Sequence, residues 1–434
     1  MTLHSRELIE EARPFIEYKK DPNTRIANLT FKRPKDLNAV TTGMRLLYAD
    51  LLHGANIDDE VKVLVIRSEG DHFGTGADLA AQFKGYKEGP NNSPLHEFRL
   101  DNDPSIKYPP EDSFRYIHGV CDLYSKPISG CRGLQTFKKI SIVEAKGYCY
   151  GWHFYEAADA DLVISSEEAL FGHPAFRYVG WGPRLWWWAE TMGLRKFAEM
   201  LFTGRPFTAK EMRECGFLNS VVPRDKLEEE THKYATACSR SRPTDTVTVQ
   251  KTFLEIYKQY RGEQMGSTLT ALVEALWPYM RHEPGDLQLT ADVMEAGLNN
   301  AVKEIEMGYP PEWRMSYSGR KKKGSRYEGE DFNRTQQCTN WVNSSPGGRF
   351  PYLFILVLLG RADAHCFAHL HVYQPCRLVS LSDRRVRTTA LDLGVWDPGW
   401  LYHFIHCTLS TEPMAEAATG AKGYPSLGQC PRDA

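Results

Sequence analysis

Residues 139–152 read KISIVEAKGYCYGW, and this stretch decides the fold. It begins as a short apolar strand centred on Ile140–Val143 and then turns through Gly147 and Gly151. Trp152 follows the second glycine and begins a helical pattern. A strand, a glycine-rich turn and a helix in this order are typical of a chain in which strands and helices alternate.

A second stretch, residues 63–79, has the same order and reads VLVIRSEGDHFGTGADL. A buried strand that leads into a glycine-rich turn and a helix leaves backbone N–H groups free for a ligand, and glycine permits the unusual dihedral angles of such a turn. The alternative is an ordinary turn between a strand and a helix, with Asp78 as the helix cap. This stretch alone does not decide between the two.

The alternation continues through roughly the first three-quarters of the chain. Strands are predicted at Ile26–Phe31, Val61–Arg67 and Asp161–Ser165, and a helix is predicted at Thr42–Leu52. The segment Met1–Lys20 lacks the basic-then-apolar pattern of a secretory leader and is predicted to be helical. Near-continuous apolar strands between helices predict an α/β fold with a mostly parallel sheet covered by helices.

Composition excludes several classes of protein. Of the 434 residues, 42% are hydrophobic and 25% are charged, as in an ordinary globular protein, and the net charge of −2 gives no basis for nucleic-acid binding. The longest apolar run, Tyr352–Leu359, is far shorter than the ~20 residues of a membrane-spanning helix. The ten cysteines have no paired spacing. We therefore expect a soluble protein of the cytoplasm, with the peroxisome and the mitochondrion as open alternatives.

The chain is predicted to have three regions. Residues 1–260 form the core, with a surface insertion near residues 84–112, and residues 261–319 form a helical region. Residues 320–434 begin with a basic linker and lack periodicity, so we interpret them as a disordered or spurious tail. This tail holds a loose cluster of four residues of the kinds that bind zinc, namely His365, Cys366, His369 and His371. Because the surrounding sequence is irregular, we predict no metal site.

The region around residues 139–174 resembles the crotonase, or enoyl-CoA hydratase/isomerase, superfamily. In that family the strand, glycine-rich loop and helix are followed by an Asp before a strand and by a Phe-Gly-x-Pro turn, which Asp161 and residues 171–174 match here. Residues 29–39, 63–79 and 192–223 also match the family pattern. The resemblance covers about residues 20–260 and implies a crotonase-like (ββα)n spiral core of parallel sheets covered by helices, with a C-terminal helical region.

The resemblance implies an oxyanion hole. The backbone N–H groups of Ala77 and Trp152 would donate to the carbonyl oxygen of the substrate, with Trp152 in place of the usual glycine. It further implies a coenzyme A thioester as the substrate, no separate cofactor, and a homotrimer or hexamer as the assembly.

Both catalytic glutamates of the family are replaced. Their positions hold Tyr155 and Ala175, so ordinary hydration of an enoyl thioester, which needs two carboxylates, is not expected. Tyr155, His173, His153 and Glu156 are the candidates for a direct chemical role, and a hydrogen-bonded structural role is the alternative for each histidine. A helical turn of about 100° per residue points Glu156 away from the position of the missing acid. The positive end of the helix would favour neutral His153.

An aromatic segment, residues 180–188, replaces a glycine-rich turn of the family. Trp181 and Trp186 would line a pocket for a ring-containing substrate, with Arg184 binding a carboxylate or phosphate group. Plain packing of the tryptophans in the core is the favoured alternative.

The sequence thus predicts an enoyl-CoA hydratase/isomerase-like enzyme, a lyase or isomerase that stabilises the oxyanion of a bulky or cyclic acyl-CoA thioester or related carbonyl substrate. Two alternatives stay open. One is a C–C bond hydrolase of the same superfamily that acts on a diketone by retro-Claisen cleavage. The other is a non-catalytic protein that binds an acyl-CoA, for which the loss of both glutamates is the expected signature.

Overall fold

The computed structural model describes residues 3–79, 107, 109–110, 113–126, 130–177, 180–241, 243–276, 303 and 305–322. Contact density divides the chain into residues 1–346 and 347–434, and all described residues belong to the first unit. Nearly all of the predicted insertion near residues 84–112 lies outside the described residues, and so does the histidine and cysteine cluster of the tail.

The larger sheet has six strands. In spatial order they are β1 (Ile16–Asp21), β2 (Ile26–Phe31), β3 (Val63–Ser68), β4 (Ile140–Ala145), β6 (Leu162–Ser166) and β9 (Ser220–Val222). Strand β1 pairs antiparallel with β2, and every other pair is parallel. The mostly parallel sheet predicted from the sequence is therefore confirmed.

Alternate residues of the central strands enter two different cores. In β3, Leu64 and Ile66 join the main core, whereas Val63 and Val65 pack with Leu227 on the opposite face. Because both faces of the strand are covered, its sequence is a continuous apolar run and not an alternating one.

A second sheet has three strands. It consists of β5 (Tyr148–Tyr150), β7 (Leu170–Gly172) and β8 (Phe207–Thr208). Strands β5 and β7 are parallel, and β7 and β8 are antiparallel. The short strand β5 follows β4 after one turn, so the decisive stretch of sequence contributes to both sheets.

The described helices cover the sheets. They are α1 (Leu3–Ala12), α2 (Thr42–Ile57), α3 (Phe114–Ser125), α4 (Trp152–Asp159), α5 (Leu185–Met192), α6 (Leu194–Thr203), α7 (Ala209–Glu214), α8 (Leu227–Arg240), α9 (Thr244–Tyr260), α10 (Glu263–Leu276) and α11 (Tyr317–Arg320). Helix α10 packs on α3 and α5, where Ala271 and Ala275 contact the apolar face of α3. Among these helices none is long and apolar enough to cross a membrane.

The helix predicted for Met1–Lys20 is wrong in its second half. Helix α1 ends at Ala12, and strand β1 begins at Ile16. Ile16 is buried and pairs with Phe31, while the charged end of β1 is exposed. The backbone of β1 bonds to a strand that lies later in the chain, and the local sequence pattern carries no sign of that pairing.

Candidate active site

The first loop of the site follows β3. It is held on both sides by backbone hydrogen bonds, since the N–H of Val40 donates to the carbonyl of Gly76 at 2.9 Å and the N–H of Asp78 donates to the carbonyl of Val40 at 2.8 Å. Gly76 has a φ of +99°, which favours glycine. Asp78 accepts from the guanidinium of Arg33 at 2.7 Å. The N–H of Ala77 has no partner among the described residues.

The second loop joins β5 to helix α4. Gly151 has a φ of +56° and precedes Trp152, the first residue of the helix. The N–H of Gly151 donates to the carbonyl of Gly172 at 3.1 Å. The N–H of Trp152 has no partner in the described part of the chain, as expected in the first turn of a helix.

The two loops touch at their glycines. A Cβ added to Gly76 would lie 3.1 Å from the Cα of Gly151 and 3.2 Å from the backbone N of Trp152. The N–H of Tyr150 also donates to the carbonyl of Gly74 at 2.9 Å. The backbone groups of Ala77 and Trp152, which the sequence singles out as a pair, therefore lie on segments in direct contact.

The side chain of Trp152 turns into the core. Its indole N–H donates to the carbonyl of Gly130 at 2.9 Å, and its ring packs edge-on against Tyr48 and Phe31, with centroid distances of 5.1 Å and 5.7 Å. Trp152 has helical backbone geometry. The bulk of the tryptophan that replaces the usual glycine is thus taken up by contacts with α2 and β2.

His153 lies beneath the first loop. Its Nδ1 accepts the N–H of Gly76 at 3.2 Å, and a Cβ on Gly74 would lie 2.1 Å from its ring. Burial lowers the pKa of His153 to about 3, so the ring is neutral, and its Nε2 is enclosed without a partner among the described residues. Neutral His153 was expected from the helix terminus; burial is the cause in the structure. These contacts make His153 a support of the loop.

Tyr155 and His173 are brought together. Their ring centroids are 5.5 Å apart, and Trp188 contacts both rings at 5.5 Å and 5.3 Å. Burial raises the pKa of Tyr155 well above its ordinary value and lowers that of His173 to about 3. Both side chains are therefore neutral at pH 7, and the Nδ1 of His173 is enclosed without a partner among the described residues.

Glu156 points away from this pair. It is fully buried and accepts a hydrogen bond from the hydroxyl of Tyr48 at 2.6 Å. Burial, followed by the nearby charge of Asp159, raises the pKa of Glu156 well above its ordinary value. The carboxyl is thus neutral and directed at α2.

Arg184 lies in a buried ion-pair network, and the anion-binding role predicted for it finds no support in this placement. Its guanidinium pairs with Asp159, contacts Glu263 at 3.3 Å and donates to Ser267 at 2.8 Å. The side chain is completely buried. Arg132 also pairs with Glu263, so the two carboxylates balance the two guanidinium groups and Arg184 needs no anionic ligand.

The two tryptophans predicted to line the pocket bind helix α10 or the turn before it. The indole of Trp181 donates to the carbonyl of Thr270 at 3.0 Å, and that of Trp186 donates to the carbonyl of Arg261 at 3.1 Å. Trp186 also covers Gly266, where a Cβ would lie 2.1 Å from the indole. These contacts favour the packing interpretation for both, and Trp188 is the tryptophan of this segment that lies beside Tyr155 and His173.

The sequence interpretation missed Glu274, on α10. Its side chain is half-buried, and its Oε2 is enclosed without a partner among the described residues. Burial raises the pKa of Glu274 to about 7. After burial, the charge of Glu274 is the largest contribution to the raised pKa of Tyr155, which indicates that the two groups lie near each other. The helical spacing of polar residues on α10 is the signal that could have found it.

The fold and the sequence both match known proteins. The sequence model of the family described as Enoyl-CoA hydratase/isomerase matches residues 123–274, which include the second loop, the Tyr155–His173 pair and Glu274. The crystal structure of an enoyl-CoA hydratase/isomerase from Xanthobacter autotrophicus Py2 superposes with a TM-score of 0.55 at 21% identity, covering 68% of this chain and 98% of that one. Over residues 123–274 the chain is similar to the enoyl-CoA hydratase/isomerase family, and its fold is that of the Xanthobacter autotrophicus structure.

Two proteins named as coenzyme A-thioester hydratases are similar in sequence to this chain. EchA13 of Mycobacterium tuberculosis, provisionally named an enoyl-CoA hydratase, is 27% identical over 224 residues, which are 51% of this chain and 67% of the relative. The mevalonyl-coenzyme A hydratase sidH of Aspergillus fumigatus is 28% identical over 235 residues, which are 52% of this chain and 74% of the relative. The crotonase fold predicted from the sequence is confirmed.

Proposed function

We propose that this chain is an enoyl-CoA hydratase/isomerase-like enzyme that stabilises the enolate, or a related oxyanion, of an acyl-CoA thioester. The observation that carries the proposal is the pair of contacting loops whose N–H groups, at Ala77 and Trp152, have no partner among the described residues. Negative charge accumulates on the thioester oxygen when the α-proton leaves. A preorganised donor commonly stabilises such charge by about 3–4 kcal/mol.

The proposed substrate carries a bulky or cyclic acyl group. The aromatic surroundings of Tyr155, with Trp188 and Phe176 nearby, support an apolar site for such a group. The name of the Aspergillus fumigatus relative, a mevalonyl-coenzyme A hydratase, is consistent with a branched acyl chain in the superfamily. Coenzyme A enters as part of the substrate, and the proposal includes no other cofactor.

We also propose a homo-oligomeric assembly and a cytoplasmic location for the protein. We infer a homotrimer or hexamer, supported by an apolar face on α9 whose residues Val249, Phe253, Ile256 and Tyr260 are 63% to 81% exposed in the single chain. A cytoplasmic location completes the proposal, and fractionation of the source cells would test it.

The test is exchange of the α-proton in D₂O. The full-length chain would be incubated with hexanoyl-CoA, phenylacetyl-CoA and cyclohexylacetyl-CoA. Mass spectrometry would then measure the deuterium content of each thioester. We expect deuterium uptake with at least the cyclic or aromatic thioester.

Binding of these thioesters without exchange and without product would overturn the enzymatic proposal. It would favour the non-catalytic alternative, for which the replacement of both family glutamates by Tyr155 and Ala175 is the specific observation.

A further inference from the structure

One face of helix α10 carries a row of polar residues. Glu263, Ser267, Thr270 and Glu274 are separated by four, three and four positions. Residues with this spacing lie above one another on the same side of an α-helix.

The first three residues of this row fix the helix against the segment that precedes α5. Glu263 and Ser267 contact the guanidinium of Arg184. The hydroxyl of Thr270 donates to the carbonyl of Pro183 at 2.7 Å, and its own carbonyl accepts from the indole of Trp181 at 3.0 Å. The side of α10 that bears Glu274 is therefore held towards residues 181–184 by several independent contacts.

Residues 181–184 are also next to the Tyr155–His173 pair. A Cβ on Gly182 would lie 2.8 Å from two atoms of the His173 ring. Glu274 stands one helical turn beyond Thr270 on the same face, and its charge acts on Tyr155. The polar row of α10 thus extends from the ion-pair network of Arg184 to the side of the site that holds Tyr155. On that side the family's catalytic carboxylates are replaced.

Glu274 differs from the other acidic groups of this region. Glu263 and Asp159 are bound by arginines, and Glu156 is bound by Tyr48. One oxygen of Glu156 and one of Asp159 are also enclosed without a donor, but the second oxygen of each has a partner. Glu274 has an enclosed Oε2 and no hydrogen bond or ion pair on either oxygen within the described part of the chain. A shielded carboxyl oxygen without a donor is costly for stability, and such groups are concentrated at functional sites.

We propose that Glu274 is the proton-transferring carboxylate of this site and replaces, from a different helix, the acids that Tyr155 and Ala175 have displaced. The inference rests on the proposed function and adds the residue that performs the proton transfer. A pKa of about 7, raised by burial, supports it because the carboxylate and the acid are both populated at neutral pH.

The step balances within the site. The Glu274 carboxylate takes the α-proton, so the C–H bond breaks and an O–H bond forms on the carboxyl. The C–H electron pair becomes the C=C bond of the enolate, and the thioester C=O electron pair moves to oxygen, where the N–H groups of Ala77 and Trp152 stabilise the charge. Return of the proton to carbon, or of a deuteron after exchange with D₂O, regenerates the carboxylate.

The experiment compares the full-length wild type with Glu274→Gln, which keeps the shape of the side chain and removes the base. The control is Glu255→Gln on α9, where the carboxylate pairs with Lys138. Deuterium exchange and binding of phenylacetyl-CoA and cyclohexylacetyl-CoA are measured for all three proteins, and thermal unfolding confirms folding. We expect exchange to fall by ~100-fold or more in Glu274→Gln with binding within about threefold, and to be unchanged in Glu255→Gln.

Two results would overturn the inference, and they differ from each other. Exchange in the wild type that persists in a folded Glu274→Gln variant would remove Glu274 from the mechanism and leave the proposed function intact. Absence of exchange in the wild type with every thioester would overturn the proposed function together with the inference. If Glu274→Gln does not fold, Glu274→Asp provides the second test, because shortening the side chain by one methylene should lower exchange while retaining a carboxylate.

Discussion

Burial without an oppositely charged partner keeps several side chains of this molecule neutral. His153 and His173 would titrate near neutral pH in water, yet enclosure lowers the pKa of each to about 3. Glu156 is shifted in the opposite direction and is neutral for the same reason. In each case the low-dielectric surroundings disfavour the ionised form. A histidine or glutamate in the decisive stretch of sequence is thus not a base merely because of its residue type.

The Glu156→Gln variant tests this effect at one residue. The folded-state pKa of Glu156 is raised, so the unfolded chain releases the proton first and the wild type loses stability as pH rises above about 4.5. Gln cannot ionise, so its free energy of unfolding should exceed that of the wild type increasingly between pH 5 and 8, by up to about 1.4 kcal/mol per pH unit.

Urea unfolding at several pH values provides this measurement, and Glu214→Gln on the exposed side of α7 is the control. Parallel curves for wild type and Glu156→Gln would show that Glu156 is ionised in the folded protein.

Two glycine-to-alanine substitutions, at Gly74 and Gly54, test the packing of single residues. A Cβ on Gly74 would lie 2.1–2.4 Å from three atoms of the buried His153 ring, so Gly74→Ala should lower the free energy of unfolding by about 1–3 kcal/mol. Gly54 lies on the exposed side of α2, and a Cβ added there would have nothing within 4 Å, so Gly54→Ala should raise the free energy of unfolding by about 0.5–1 kcal/mol. Thermal and urea unfolding measure both changes. Equal effects of the two substitutions would contradict the packing of His153 against the first loop.

At the scale of elements, the contact between α5 and α10 combines a buried and an exposed ion pair. Arg184 is fully buried among Asp159 and Glu263, so Arg184→Ala should cost about 3–5 kcal/mol in the free energy of unfolding. Arg261→Ala breaks the exposed pair with Glu190 between the same regions and should cost less than about 1 kcal/mol.

Urea unfolding of the two arginine variants tests this prediction. A folded Arg184→Ala variant with wild-type stability and weakened acyl-CoA binding would instead support the anion-binding role that the sequence analysis assigned to Arg184.

The sequence predicts elements well where a pattern is local. Strand β2 has the predicted bounds, and β3, β4 and β6 lie within about two residues of theirs, because an apolar run covered on both faces is visible in the sequence itself. Strand β1 was missed because its partner is β2, and pairing between segments leaves no local pattern.

The candidate site likewise combines features of local sequence, which could be predicted, with contacts between distant segments, which could not. The loops of Ala77 and Trp152 could be predicted because each is built from consecutive residues. Glu274 could not, since it lies more than a hundred residues after Tyr155, and only the packing of α10 brings the two together. Arg184 was assigned to a ligand because the sequence does not show that Asp159 and Glu263 surround it.

At the scale of the whole molecule, helix α9 presents apolar side chains to solvent. Val249, Phe253, Ile256 and Tyr260 lie on one helical face and are largely exposed. If this face joins copies of the chain, the Phe253→Asp/Tyr260→Asp double variant should be a monomer, whereas the wild type should be a trimer or hexamer.

Light scattering after size-exclusion chromatography measures this difference in mass, and Gln250→Asp, at an exposed position on another side of α9, is the control. A wild-type monomer, or a double variant that keeps the wild-type mass, would remove α9 from the proposed assembly.

The number of residues between Thr270 and Glu274 on α10 decides which way the Glu274 carboxyl points. Each residue of an α-helix turns the next by about 100°, so a single codon inserted between Thr270 and Glu274 would rotate the carboxyl out of the site while the contacts of Glu263, Ser267 and Thr270 stayed in place. A one-residue insertion or deletion in this helix would therefore remove a carboxylate from the site, or bring one into it, without any change in the loops. Comparisons that consider only the loop positions around Tyr155 and Ala175 would not register such a change.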